Sequence, residues 1–173
     1  MIDFNVIDIL IYTWVNTFSG ISVTWQNQKK APKLDLPFMA IRRQSIISKD
    51  QGYISNPDNS GIGKISSNRD MIINCQCYGS NAFGRLEDLY NVRLLDSSFD
   101  LLRAGGLSLI DQIVITDLTG LNDLEYEERA TTDLLFRFAS QNDNVSLGLI
   151  ETINIENNLK EPDKTKNFDI DLT

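Results

Sequence analysis

Near the start of the chain, apolar side chains recur at three- and four-residue steps: Phe4, Ile7, Leu10 or Ile11, Trp14 and Phe18. That spacing predicts one amphipathic helix from Ile2 to Phe18, with Asp3 as its N-cap and Ser19-Gly20 as its stop. The pattern then changes to short runs rich in β-branched and aromatic residues. "ISVTWQ" predicts a first strand, "NQKKAPKLDLP" a polar, proline-punctuated connection, and "PFMAIRRQSII" a second strand from Pro37 to Ile47. "SKDQGYISNPDNSGIGK" is saturated with Gly, Asn, Asp and Ser and predicts a long, projecting, mobile hairpin loop. "ISSNRDMIINCQCY" is the third strand, returning antiparallel to the second.

A second helix is predicted over Asn81 to Leu102, with Ser80 as N-cap and a buried face of Phe83, Leu86, Leu89 or Tyr90, Leu94 and Leu101. The Ala104–Gly106 run ends it. "LIDQIVITDL" predicts a fourth strand. "EERATTDLLFRFAS" has a composition that allows a helix, but Ala130, Thr132, Leu134, Phe136 and Phe138 alternate strictly, so a strand is expected. "NVSLGLIETINI" alternates as well, with Val145, Leu147, Leu149, Ile153 and Ile155 on one face and Glu151 interrupting it.

These elements predict an α+β fold: a mixed, mostly antiparallel sheet with about two helices packed on one face and a long β-hairpin loop. Two helices cannot cover both faces of such a sheet, so the other face should be partly exposed and able to receive another protein. Residues 1–155 should form one domain and 156–173 a flexible polar tail. Phe168, Ile170 and Leu172 alternate within that tail and could add a strand to a neighbour.

Composition changes this picture in three ways. The 173 residues suffice for one self-supporting core, and no run of apolar residues is long enough for a membrane span. The start, "MIDFNVIDILIYTW", carries Asp3 and Asp8 and no early Lys or Arg, unlike a secretory signal, so work or assembly in a reducing cytoplasm is expected. Most consequential, the chain has no histidine. Ser-His-Asp and Cys-His catalysis, imidazole bases and almost all zinc enzymes fall away together. With 16 basic against 24 acidic residues the net charge is −8, which disfavours generic DNA binding.

Candidate chemistry is thin. Cys75 and Cys77 lie two apart in a predicted strand, so they point the same way, roughly 6.6–7 Å apart, too far for a disulfide. Without two further ligands they are not a structural zinc site, and they read as core. "YGSNAFG" lacks the glycine pattern and lysine of a phosphate-cradling loop, and "SGIGK" lacks the strand-to-helix context. "DLEYEER" lacks the calcium-loop pattern and reads as a solvated acidic turn. No cofactor or metal is expected. Charge is, however, segregated along the chain. Lys29, Lys30, Lys33, Arg42, Arg43 and Lys49 cluster against Asp35 alone, while Asp117, Asp123, Glu125, Glu127, Glu128 and Asp133 cluster against Arg129. Such segregation either solvates a surface or lets the basic edge of one copy meet the acidic edge of the next.

Several short markers together resemble the phage neck or tail-terminator family over residues 1–155. They are Gln26 or Gln28 before Pro32, Leu36-Pro37-Phe38, Tyr78-Gly79 opening a helix, and Glu128-Arg129 opening a strand. The resemblance implies a structural virion protein of the phage neck or tail, assembled in the host cytoplasm. It would form a ring, typically a hexamer, that caps the tail tube, ends its polymerisation and joins the tail to the head connector. The implied partners are further copies of itself, the tail tube protein and connector or neck proteins. DNA would pass through without specific binding, and no membrane, enzyme activity or cofactor is involved. Subunit-interface candidates are Lys29, Lys30, Arg42, Arg43, Glu125, Glu127, Glu128 and Arg129. Two other readings stand beside it: a non-phage adaptor that uses an exposed sheet face, and a small hydrolase using carboxylates such as Asp111 and Glu128.

Overall fold

The computed structural model describes residues 3–26, 28, 34–122, 125–147, 152–155 and 168–171. The elements run α1 (Phe4–Ser19), β1 (Ser22–Trp25), β2 (Phe38–Ser48), β3 (Tyr53–Ile54), β4 (Ile62–Tyr78), α2 (Ala82–Asn91), a 3₁₀ turn (Val92–Leu94), α3 (Asp96–Ala104), β5 (Leu107–Asp117), β6 (Gly120–Asn122), β7 (Glu125–Glu127), β8 (Arg129–Ser146), β9 (Thr152–Ile155) and β10 (Phe168–Asp171). The main sheet has the order β1-β2-β4-β8-β5, with β3 paired to β4. β1 runs parallel to β2, whereas β2 with β4 and β5 with β8 are antiparallel, so the sheet is mixed and mostly antiparallel, as expected.

The chain divides into two compact units: Met1–Gly52 with Ser66–Gln141, and Tyr53–Ile65 with Asn142–Thr173. In the first unit, α1 begins as predicted. Asp3 Oδ1 accepts the Asn5 backbone N–H at 2.9 Å, which satisfies one of the orphan donors of the first turn. Gly20, at φ 65°, provides the left-handed C-cap that a side chain would strain. The buried residues of α1, Ile7, Ile11, Trp14 and Val15, join Met39, Ile41, Met71, Ile73, Cys75, Cys77, Leu134 and Phe136 in one core. Trp14 meets Phe136 edge-to-face at 5.8 Å between ring centroids, a geometry that adds about 1 kcal/mol to the burial itself.

The alternation predicted for β8 holds: Ala130, Thr132, Leu134, Phe136 and Phe138 are all buried. Both thiols also lie in the core as expected, and burial pushes the Cys75 pKa up to about 12.

The predicted helix over 81–102 is in fact two helices, and the described residues contain three α-helices in place of about two. Leu95 is extended at φ −83° and ψ 134°, which breaks the helix after the 3₁₀ turn. A reoriented α3 lets Trp14 Nε1–H donate to Ser98 Oγ at 2.8 Å, a buried bond that satisfies the indole. The break also rewrites the buried face: Leu86 and Leu89 are buried, but Leu94 is 72% and Phe83 47% exposed, while Leu102 takes a core place. The cap is Asn81, not Ser80, and it sits in the left-handed region at φ 57°.

In the second unit the region expected to be a loop contributes β3 and the start of β4. Ser55 N–H donates to the Lys64 carbonyl at 2.9 Å, and Asp58 Oδ1 accepts from Ser60 and Ile62 N–H at 2.8 and 3.0 Å. Gly63 lies where a Cβ would meet Leu147 Cδ1 at 2.3 Å. β10 pairs antiparallel with β9, so the alternating end of the chain finds a strand of its own chain. Residues 148–151, within the predicted strand over 144–155, lie outside the described residues, as do 156–167 of the predicted tail.

Candidate functional site

The side chains of β2, β4 and β8 that point away from the core make a polar sheet face. Asp70, Ile72, Asn74, Gln76 and Tyr78 alternate with the buried Met71, Ile73, Cys75 and Cys77, so strand geometry alone puts them on the other side. Arg42 lies opposite Asn74 in the β2–β4 ladder. From β8 come Arg129, Thr131, Asp133, Leu135 and Arg137.

These residues form a hydrogen-bonded row. Tyr78 Oη donates to Gln76 Oε1 at 2.8 Å, and Arg129 Nη2 donates to the same oxygen. The Arg129 guanidinium sits 4.7 Å from the Tyr78 ring centroid, and Tyr78 stacks on Phe38 at 4.7 Å. Gln76 Nε2 donates to Asn74 Oδ1 at 3.1 Å, and Asn74 Nδ2 donates to Thr131 Oγ1 at 3.0 Å and Asp133 Oδ1 at 2.8 Å.

At the other end of the face is Asp70, whose carboxylate is fully buried. Arg137 grips it with Nε at 2.8 Å and Nη2 at 3.1 Å, and Lys49 Nζ lies at 3.4 Å. The Arg137 hydrogen bonds hold the Asp70 pKa below its ordinary value against the opposing push of burial. Most polar groups of this face are thus fixed by one another, the kind of surface that presents one geometry to a partner.

The structure separates the sequence candidates. Arg42 is on this face and its side chain has no hydrogen-bond or ion-pair partner among the described residues, its Nε being buried without an acceptor. Arg43 faces the other way. It pairs with Asp8 at 3.4 Å and sits 5.0 Å from the Phe4 ring centroid, on the α1 side. Burial pushes the Asp8 pKa up and Arg43 draws it down. Arg129 belongs to the polar row. Glu128 holds the start of α2, because Asn81 N–H donates to its Oε2 and Gly79 N–H donates to its carbonyl at 2.8 Å. Gly79 is required there: φ is 95°, and a Cβ would come within 3.1 Å of Leu36 Cβ and Pro37 Cα.

Glu127 lines an open groove of about 350 Å³ with Leu36, Pro37, Gly79, Ser80, Tyr126 and Glu128. Lys29, Lys30 and the Glu125 side chain lie outside the described residues. Sequence reasoning missed Asp70 and Arg137, and read Lys49 only as part of the basic cluster. An aspartate amid an apolar strand, "RDMIINC", is the signal that could have found them.

The two carboxylates of the hydrolase reading do not converge. Glu128 accepts from the N-cap residue of α2, Asn81, whereas Asp111 Oδ1 accepts from Tyr90 Oη at the last turn; a helix of this length separates its ends by roughly 14 Å. Among the described residues no group of His, Cys, Asp and Glu could hold a metal ion, and no helix is long and apolar enough to cross a membrane.

No curated protein matches the chain. One family profile does, and its description is "Phage neck terminator protein", with the match running over residues 5–163.

Proposed function

The chain belongs to the phage neck terminator family, and we propose that it forms a ring, most simply a hexamer, that caps the tail tube and joins it to the head. The family places it among the structural proteins of the virion and among partners that are other virion proteins. In the proposed role the ring ends tube polymerisation by occupying the site where the next tube ring would add. Its opposite rim then receives a head-connector or neck protein, after assembly in the host cytoplasm. DNA passes through the ring without being gripped, in keeping with a net charge of −8.

The observation that carries this reading is the family match across residues 5–163. Supporting it is a sheet face whose polar groups are fixed in place and whose Arg42 has no partner within the described residues. A surface of this kind suits a rigid protein-protein contact better than turnover. The interface candidates divide accordingly: Arg42 and Arg129 are offered to a neighbour, while Arg43 and Glu128 support the subunit's own fold.

The test is loss of the protein during phage assembly. Without it, tails of uncontrolled length that lack heads should accumulate, and adding purified protein to growing tubes should arrest them. Tails of normal length joined to heads in its absence would refute the reading.

A further inference from the structure

The polar sheet face has an apolar centre. Asp70 meets Arg137 and Asn74 meets Asp133 across β4 and β8, so the intervening Ile72 lies beside Leu135, both on the outward side of their strands. Ile47, 44% exposed, stands opposite Asp70 on β2. Around these three apolar side chains lie Arg42, Lys49 and Arg137, with Arg129 further along the row. Four cations therefore share the face with two carboxylates, Asp70 and Asp133, in a chain whose net charge is −8. Lys49 and Arg137 are held by Asp70, which leaves Arg42 with its charge unspent.

At the turn from α2 into α3, exposed apolar side chains stand beside two aspartates. Leu94, Leu95 and Phe99 are 72%, 52% and 53% exposed. Asp96 and Asp100 stand beside Leu95 and Phe99 on the helix surface, both exposed and neither in a salt bridge among the described residues. Arg93, the nearest cation in sequence, is occupied at 4.5 Å over the Tyr90 ring, and Arg103 lies one turn beyond Asp100. The opposite side of α3 is spent on the core through Ser98 and Leu102.

An apolar centre beside an arginine without a partner and an apolar corner beside two carboxylates without salt bridges, all among the described residues, are complementary, and they lie on different surfaces of one chain. We propose that the Leu94–Asp100 corner of one copy docks on the Arg42–Ile72–Leu135 face of a second copy. The contact is heterologous, so repetition of it closes a ring when the rotation between copies allows. This assignment rests on the ring reading above and supplies its subunit interface. Leu95 and Phe99 supply the buried anchor, while Asp96 and Asp100 set register against Arg42.

The experiment is a charge swap read by native mass spectrometry and by analytical ultracentrifugation. Arg42→Asp and Asp100→Arg should each weaken self-association about tenfold or more, and the double variant should recover most of that loss. Circular dichroism of each variant should match wild type. A second arm introduces Arg42→Cys with Asp100→Cys and oxidises the protein, alone and on purified tails. A ladder of disulfide-linked chains on a non-reducing gel is expected, because Cys75 and Cys77 are buried and cannot supply it. Normal rings from both single reversals, with no ladder, would overturn this interface and leave the ring standing. Cross-linking of the Arg42→Cys variant to a different virion protein, through the introduced thiol, would overturn it too. A chain that never self-associates, alone or on tails, would remove the ring and the interface together.

Discussion

Asp70 shows what a single residue can fix. Its carboxylate is fully buried on a sheet face that is otherwise half open, and Arg137 and Lys49 are arranged around it. Replacing it with Asn leaves two cations facing no anion. The Asp70→Asn variant should lose about 1–2 kcal/mol in chemical denaturation, a modest figure because both cations sit partly in water. The sign of its pH dependence follows from the lowered pKa, caused first by the Arg137 hydrogen bonds. Asp70 contributes fully above the ordinary aspartate range, near about pH 4, and the contribution disappears as pH falls through its lower folded-state value. Wild-type protein should therefore lose stability on acidification more steeply than Asp70→Asn, as read by melting temperature from about pH 7 down to about pH 2.5. Parallel curves would show that the triad does not act as described. Gly79 makes the same point for backbone: with φ at 95° and Pro37 within 3.1 Å of any added Cβ, Gly79→Ala should cost about 1–3 kcal/mol, measurable in the same denaturation series.

At the scale of elements, what periodicity could read and what it could not divide cleanly. Strict alternation identified β8 against a helix-permitting composition because each inward residue, from Ala130 to Phe138, meets the same core. Asp3 as cap and Gly20 as stop were equally visible, since their effects are local. The split between α2 and α3 was not visible. Leu94, Leu95 and Phe99 are apolar at helical spacing, yet the deciding contact is Trp14 with Ser98, a pair 84 residues apart. The Asp70–Arg137 bond spans 67 residues and was hidden for the same reason. Adjacent arginines gave a further ambiguity. Arg42 and Arg43 look like one basic patch, but neighbouring strand residues face opposite ways. Single reversals should separate them. Arg43→Glu puts a carboxylate beside Asp8 and removes the cation from Phe4, so it should lower thermal stability. Arg42→Glu should leave the melting temperature within about a degree of wild type and weaken assembly instead. Equal loss of stability in both variants would contradict this assignment.

For the whole molecule, the governing quantity is charge. A net charge of −8 with a few cations gathered on one sheet face is suited to self-association and unsuited to holding a polyanion. At about 150 mM salt, where the Debye length is near 8 Å, purified protein should show no retardation of duplex DNA in a gel-shift assay. Tight retention there would contradict the role of a passive conduit. In the proposed ring the same electrostatics make assembly responsive to ionic strength, so it should loosen as salt is raised. The two core thiols carry a separate consequence. They are the chain's whole complement of cysteine, and one of them would deprotonate only near pH 12 in the native state. A thiol-reactive dye added to native protein at neutral pH therefore stays idle until the sheet opens. Its rate of uptake is a clock for spontaneous unfolding, already installed by the sequence, with which the lifetime of a free subunit can be compared with that of one locked in a particle.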